Sequence, residues 1–325
     1  MNNFKFITHD VHDAYFNLAS EEYLLKNTDG FYFYLWINDP AVIVGVNQNA
    51  IEEVNLNYTD SNAVKVVRRL TGGGAVYHDG GNLCYTVIAP YVEGENFYKK
   101  FTAPVIEYLN DLGISAEFSG RNDLLVDGKK ISGNAQTVYN GKIMHHGTIL
   151  FDADLDRLKH ALLPNPLKMQ SKGIKSVRAR VVNVKEYLDK DMTIEEFKNG
   201  LAKKFLTFCQ NYQLTDSDKL KITALVEQKY SRYEWNIGRS PKCENSFSYK
   251  FDFGIMKFDF DTKDGLIENM QISGDFFSKN PIQLLEKKLN GIRFVKSDLL
   301  TALSDVETYV QGATADVIVD KMFSD

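Results

Sequence analysis

Residues 68–79 read RRLTGGGAVYHD: two adjacent arginines, the hydroxyl of Thr71, three glycines at 72 to 74, a short apolar run, then His78 and Asp79. Successive glycines let backbone N–H groups converge on an anion with no Cβ in the way, as in the concave nests that hold phosphate. The expected ligand therefore carries phosphate. No Lys-Ser/Thr follows the glycines as a P-loop requires, and no further glycine falls at the dinucleotide-fold spacing. A plain reading stays open, in which a glycine-rich turn joins strands at 63–67 and 75–77 and Arg68 and Arg69 sit at the surface. The pair of arginines weighs against it, because strand neighbours face opposite ways and one of the two must point inward or into a cleft.

Three other stretches carry chemistry-bearing residues. In GRNDLLVDGKKISGNAQ, residues 120–136, the triplet Arg121-Asn122-Asp123 precedes a hairpin and Lys129-Lys130 follow its turn, so one lysine is expected on each face. A lysine amine is a compact charge suited to a carboxylate or phosphate, and the small residues Ser132 and Gly133 leave room beside Lys130. The alternative is a lysine pair that serves only solubility. HHGTILFD, residues 145–152, pairs two histidines without HExxH spacing or a carboxylate at ligand distance, so one histidine is expected to line a pocket and the other to lie outside it. Residues 168–183 hold Lys168, Lys172, Lys175, Arg178 and Arg180, the densest positive stretch, read as a solvated loop, a charged cover over a nucleotide or a docking strip for an acidic protein.

These residues need a scaffold. Asp13 caps an expected helix from 14 to about 26, followed by strands at 31–36 and 41–46, so the order begins helix then sheet. Further strands are expected at 63–67, 83–89, 114–118 and 124–126. Phe97, Phe101, Val105, Tyr108, Leu109 and Leu112 recur at helical steps and Gly113 supplies a stop. Asp127-Gly128 and Asn140-Gly141 are hairpin dipeptides, which implies antiparallel pairing. Thr193 and Glu196 form a capping box for a helix to about 210, and a second helical stretch covers about 216–230. From Trp235 to Pro241 turn formers replace periodicity; beyond them two strands turning at 263–265 and helices from Pro281 and Ser297 make a small module. The fold class is α+β, with mixed and antiparallel sheets packed with helices, in a main domain over 1–243 and an accessory domain over 244–325.

The composition narrows the partners. With 38 Lys+Arg against 43 Asp+Glu the formal charge is -5, which gives no global field for nucleic acid. Three scattered cysteines, Cys84, Cys209 and Cys243, argue against a disulfide framework or zinc site and for a reducing compartment. No leader-like start and no run near the roughly 18 apolar residues of a membrane span is present, so a cytoplasmic protein without a membrane partner is expected.

RRLTGGGAVYHDGGN, GRNDLLVDGKKISGNAQ, HHGTILFD and KGIKSVRARVVN, in that order and with YLWINDPAVIVGVNQN before them, closely resemble the lipoate–protein ligase A family of the biotin/lipoate protein ligase superfamily. The likeness covers most of residues 1 to about 245, and the remainder resembles that family's small C-terminal domain. The resemblance implies that free lipoate attacks the α-phosphate of ATP to give lipoyl-AMP and pyrophosphate. A lysine of a lipoyl carrier domain, on a 2-oxoacid dehydrogenase E2 subunit or the glycine cleavage H protein, then takes the acyl group and releases AMP. It further implies that Arg69 and the Gly74, Ala75, Val76 and Tyr77 backbone hold the nucleotide, and that Lys130 is the catalytic cation touching both the lipoyl carbonyl and phosphate. Asn122 and Asp123 then help at the adenylate, Asp123 through Mg2+; Thr71, His78 and His146 join Arg69 and Lys130 around lipoate. No bound redox cofactor is implied, and a monomer suffices.

Three other functions compete. An ATP-independent octanoyl or lipoyl transferase of the same superfamily needs an exposed, activated cysteine, and Cys84 in LCYTVIA reads as a buried structural thiol. A noncatalytic relative sits poorly with Arg69, Asp123 and Lys130 all being present. Biotin ligase is disfavoured by its different glycine loop and its N-terminal DNA-binding helices, which are not seen here.

Overall fold

The computed structural model describes residues 4–120, 122–163, 181–238, 245–263 and 266–323. The basic cluster from Lys168 to Arg180, Arg121, Cys243 and the turn residues 264 and 265 lie outside the described residues.

An eight-stranded mixed sheet forms the centre, in the order Cys209–Asn211, Phe4–Thr8, Phe31–Ile37, Asn82–Pro90, Lys142–Leu150, Lys129–Tyr139, Asp123–Val126, Glu117–Ser119. The first three strands run parallel and the rest pair antiparallel. Alternation sends Leu35, Leu83, Tyr85 and Val87 to one face, where Phe97–Asp111 and Ile194–Leu206 cover them, and Tyr34, Trp36, Cys84 and Ile88 to the other, under Ala14–Lys26. Both faces are thus dry, which is why Asn82–Pro90 reads as a nearly continuous apolar run. Across the second face lies a three-stranded sheet, Lys65–Arg68 parallel to Ala41–Val44, which in turn is antiparallel to Val76–His78. The glycine segment crosses from one edge of this small sheet to the other.

Local signals account for the boundaries. The Asp13 carboxylate accepts from Phe16 N–H at the start of Ala14–Lys26, Asn96 caps Phe97–Asp111, and the Thr193/Glu196 capping box opens Ile194–Leu206. Asp127 and Gly128 have φ of 50° and 72°, and Asn140 and Gly141 45° and 71°, the left-handed pairs of tight hairpins.

A second core, built around Met256, Phe258, Phe260, Leu285 and Leu299, holds the C-terminal module. Its three antiparallel strands, Asn245–Phe251, Gly254–Lys263 and Leu266–Gly274, carry the helices Ile282–Leu289, Lys296–Ala302 and Ala315–Met322. It touches the main body through Gly274 N–H to Asn47 O at 2.8 Å, Asn47 Nδ2 to Ser278 Oγ at 3.1 Å and a Lys257–Glu52 ion pair.

Several expectations need correction. The first element of the described residues is a strand, Phe4–Thr8, ahead of the expected helix; its parallel pairing with Phe31–Ile37 stabilises five residues too few for a periodic signal. The helix expected to about 210 ends at Leu206, and Cys209–Asn211 is an edge strand beside Phe4–Phe6. The strand expected over 114–118 is confined to Glu117–Ser119. The two strands expected to turn at 263–265 are preceded by a third, Asn245–Phe251, joined to Gly254–Lys263 through Asp252 and Phe253 with Gly254 at φ 131°. Among the described residues no helix is long and apolar enough to cross a membrane.

Candidate functional site

One cavity gathers the glycine segment, Arg69, Lys130 and His146. Its floor is the second face of the large sheet. Thr148 and Trp36 flank Cys84 in register, and His146 lies between Thr86 and Ala135. Its roof is Ile43 with Gly73, Gly74, Ala75 and Val76.

Arg69 shapes the roof from within. It is 6% exposed and four N–H groups are spent on the protein: Nε to Thr71 Oγ1 (3.0 Å), Nη1 to Ile43 O (3.0 Å), and Nη2 to Gly72 O (2.6 Å) and Gly74 O (2.9 Å). With those carbonyls turned to the guanidinium, planar trans peptides aim the N–H groups of Gly73 and Ala75 away from it. Gly73 itself stands at φ 89°, and a Cβ on Gly45 would collide with its carbonyl. Burial pulls the Arg69 pKa down to about 10, still charged at neutral pH. Arg68, expected to diverge from Arg69, is also buried, with bonds to the carbonyls of Gly45, Gln48, Trp235 and Asn236. The surface reading of the pair is therefore wrong.

At the open edge the Lys130 ammonium lies 2.7 Å from Asp123 Oδ1, each side chain about a third exposed. Lys129 is exposed on the other side of the hairpin, as alternation requires. A Cβ on Gly133 would sit 2.8 Å from Lys130 Nζ, so the missing side chain gives that amine its space. Asn122 lines the cavity and exchanges two bonds with the next strand, Nδ2 to Asn134 O at 2.7 Å and Asn134 Nδ2 to its own carbonyl at 3.0 Å.

His146 is the pocket histidine and His145 lies on the opposite face, caged by Tyr85, Tyr98 and Phe101, where burial lowers its pKa to about 3. His146 Nδ1 meets Glu21 Oε1 at 2.9 Å and Nε2 meets Thr71 Oγ1 at 2.7 Å. Arg69 Nε–H donates to Thr71, whose hydroxyl meets His146 Nε2, and His146 Nδ1 meets Glu21, a chain of contacts that ties the roof to the helix beneath. His78 also lines the cavity; Tyr77, next to it, turns to the far side among Val42, Val44 and Ala50. Thr71 and Asp123 reach the cavity through His146 and Lys130. Cys84 lines the cavity but is 1% exposed, and burial holds its thiol well above the usual range, which disfavours the thiolate that a nucleophile needs.

Glu21 escaped the sequence reading. It sits in ASEEYLLK, and its neighbour Glu22 is also buried, ion-paired to Lys26 and Lys229. Two consecutive carboxylates inside a buried helix were the available signal; their partners lie up to 208 residues away. Among the described residues no group of three or more His, Cys, Asp or Glu could hold a metal ion.

The fold and this cavity define an α+β catalytic domain with a small accessory module. Residues 13–206 match the lipoyl protein ligase A/B catalytic domain and residues 240–322 the bacterial lipoate protein ligase C-terminus. Lipoate–protein ligase 1 of Staphylococcus aureus is 44% identical over 312 residues, covering 94% of this chain and 95% of that protein. The solved P. falciparum LipL1 in complex with lipoate superposes with a TM-score of 0.82 at 26% identity, covering 98% of each chain. A lipoate–protein ligase A crystal structure with bound ATP gives 0.63 at 28% identity, over 73% of this chain and 99% of that one. The chain belongs to the lipoate–protein ligase family and is an enzyme of the ligase class.

Proposed function

We propose that this enzyme binds ATP and free lipoate in the cavity, forms lipoyl-AMP with release of pyrophosphate, and passes the acyl group to a lysine of a lipoyl carrier domain. The observation that carries the reading is the meeting of Arg69, Lys130 and the segment Gly73-Gly74-Ala75-Val76 around one cavity whose floor includes Trp36, Cys84 and Ala135. Attack of a carboxylate on the α-phosphate gathers negative charge, and fixed cations with oriented N–H donors stabilise it at no cost of reorganisation. Lys130 is placed to neutralise both the lipoate carboxylate and the phosphate, and Asn122 to hold the adenylate; the Gly74–Tyr77 backbone is the nucleotide's contact. The apolar floor takes the acyl chain, with Thr71, His78 and His146 around it.

Mg2+ fits this site as an ion carried by ATP. Asp123 is a carboxylate in contact with Lys130 at the rim, and magnesium needs few protein ligands when phosphate oxygens supply the rest. When bound it shields the leaving pyrophosphate. No redox cofactor enters the reading.

We place the catalytic unit at residues 1–243 and the accessory unit at 244–325, supported by two separate buried cores and by the two matched regions. E2 subunits and the H protein are the proposed acceptors, for a monomer acting in the cytoplasm without nucleic acid or membrane. The test is incubation with ATP, Mg2+ and lipoate, with and without apo carrier domains. Pyrophosphate release with lipoate alone, followed by a lipoyl mass increment on the carrier, is the expected result. Acyl transfer that needs no ATP would instead indicate the transferase reading.

A further inference from the structure

Among the described residues, His78 Nε2 is buried without a hydrogen-bond partner. Its protonation follows from its neighbours. Asn17 Nδ2 faces Val11 O (3.1 Å), Ile37 O (3.0 Å) and Asn38 Oδ1 (2.9 Å), while Asn17 Oδ1 accepts from Tyr34 O–H (2.9 Å). Two backbone carbonyls can be met only by an amide nitrogen, so the Asn38 oxygen faces Asn17 and the Asn38 nitrogen faces His78 Nδ1 at 3.1 Å. Nδ1 is therefore an acceptor, and the neutral ring carries its proton on Nε2. Burial, reinforced by Arg69 and His146, keeps the ring neutral, with a pKa of about 3. The outcome is a lone, buried N–H donor on a side chain that lines the cavity.

Its position relative to Lys130 matters. Gly133, under the Lys130 amine, donates its N–H to Thr148 Oγ1 at 3.4 Å; Thr148 pairs with Cys84, and Cys84 with Trp36. Cys84 is two strands from Gly133, about 10 Å across a sheet. The His78 ring lies over that far part of the floor, Nδ1 3.6 Å from Cys84 Sγ and its centroid 6.1 Å from that of Trp36. A chain whose carboxylate is held at Lys130 and which crosses the floor thus brings its far end to His78.

We infer that His78 Nε2–H donates to a sulfur of the lipoate dithiolane ring and so sets a preference for lipoate over a plain fatty acid such as octanoate. The inference rests on the cavity being the lipoate pocket. Sulfur is a weak acceptor, but a methyl or methylene accepts nothing, and a buried donor left unpaired is penalised. Sites built around a polar group discriminate against analogues that lack it.

The test compares lipoate and octanoate in pyrophosphate release, reading the ratio of their kcat/KM values. In His78→Leu the lipoate-to-octanoate ratio is expected to fall about tenfold, the scale of one unpaired buried donor. Asn38→Asp keeps the ring but turns it round, because a carboxylate takes the Nδ1–H and leaves Nε2 with a bare lone pair; the ratio should fall again. Nitrogen NMR of the wild-type protein should show His78 protonated at Nε2, with a shift on adding lipoate and none on adding octanoate. Equal losses for both acids in the variants, or a His78 signal blind to lipoate, overturns the inference while leaving ligase activity in place. A wild-type protein that releases no pyrophosphate with either acid would instead remove the functional reading beneath it.

Discussion

Lys130 holds its charge at the open edge, where Asp123 is its partner, whereas Arg69 has committed four donors inside the protein, to Thr71, Ile43, Gly72 and Gly74. Lys130→Ala should therefore cost chemistry and not fold. The expected loss in adenylate formation is about 3–4 kcal/mol, by analogy with a deleted oxyanion donor. The thermal midpoint should stay close to that of the wild type, and near-normal pyrophosphate release from the folded variant would refute the assignment. A second prediction concerns acid. Burial lowers the pKa of His9 to about 4 and of His78 and His145 to about 3, against 6.5 for the exposed group. The unfolded chain then binds more protons than the folded one below pH 6.5. Their contribution to stability is whole above that value and drains away as pH falls toward 4 and 3. Each histidine adds a slope of about 1.4 kcal/mol per pH unit within the window. Urea midpoints measured from pH 7 down to 4.5 should drop steadily, and His145→Asn should flatten the slope by one proton. A flat profile would show that these rings are not buried neutral.

At the scale of elements, the glycine segment is squeezed from two sides. A Cβ on Gly72 would strike Phe276 O and come within 3.0 Å of Phe277 Cα, both backbone atoms of the C-terminal module. Gly72→Ala should thus be felt as overpacking, on the order of 1–3 kcal/mol, with adenylation impaired because the segment shifts. Gly80→Ala, in the same stretch but with nothing within 4 Å, is the matched control and should change stability by less than about 0.5 kcal/mol. Equal behaviour of the two variants in thermal unfolding would remove the argument. Most elements could be anticipated where a local rule sufficed: the Asp13 cap, the Thr193/Glu196 box and both Xaa-Gly turns lie where their residues place them. The misses have a shared cause. Phe4–Thr8 pairs with Phe31–Ile37, and Cys209–Asn211 pairs with Phe4–Phe6 some 200 residues away, contacts that no local window contains. The same holds in the site: the arginines and the Lys-Lys and His-His pairs stand out by type and spacing, and the family resemblance singled out His146 of its pair, whereas Glu21 acquires its role from a histidine 125 residues later.

Over the whole molecule, the accessory core and the main body meet in part on the glycine segment itself. Phe276 and Phe277 lie on Gly72 and Gly73, Phe277 stands 6.4 Å from Tyr98 between ring centroids, and Asn47 bonds both Gly274 and Ser278. The accessory module thus supports the glycine segment from outside while Arg69 holds it from inside. Leu285 tests that coupling, being fully buried in the accessory core and remote from the cavity in sequence and in core membership. Leu285→Ala should destabilise the accessory module by about 2–5 kcal/mol, visible in calorimetry as an earlier transition separate from that of the main core. If the module's seat on the glycine segment matters, adenylate formation measured against temperature should fall along with this first transition, while the main core is still folded. Activity that persists until the main core melts would mean that Arg69 and its carbonyl partners hold the segment unaided.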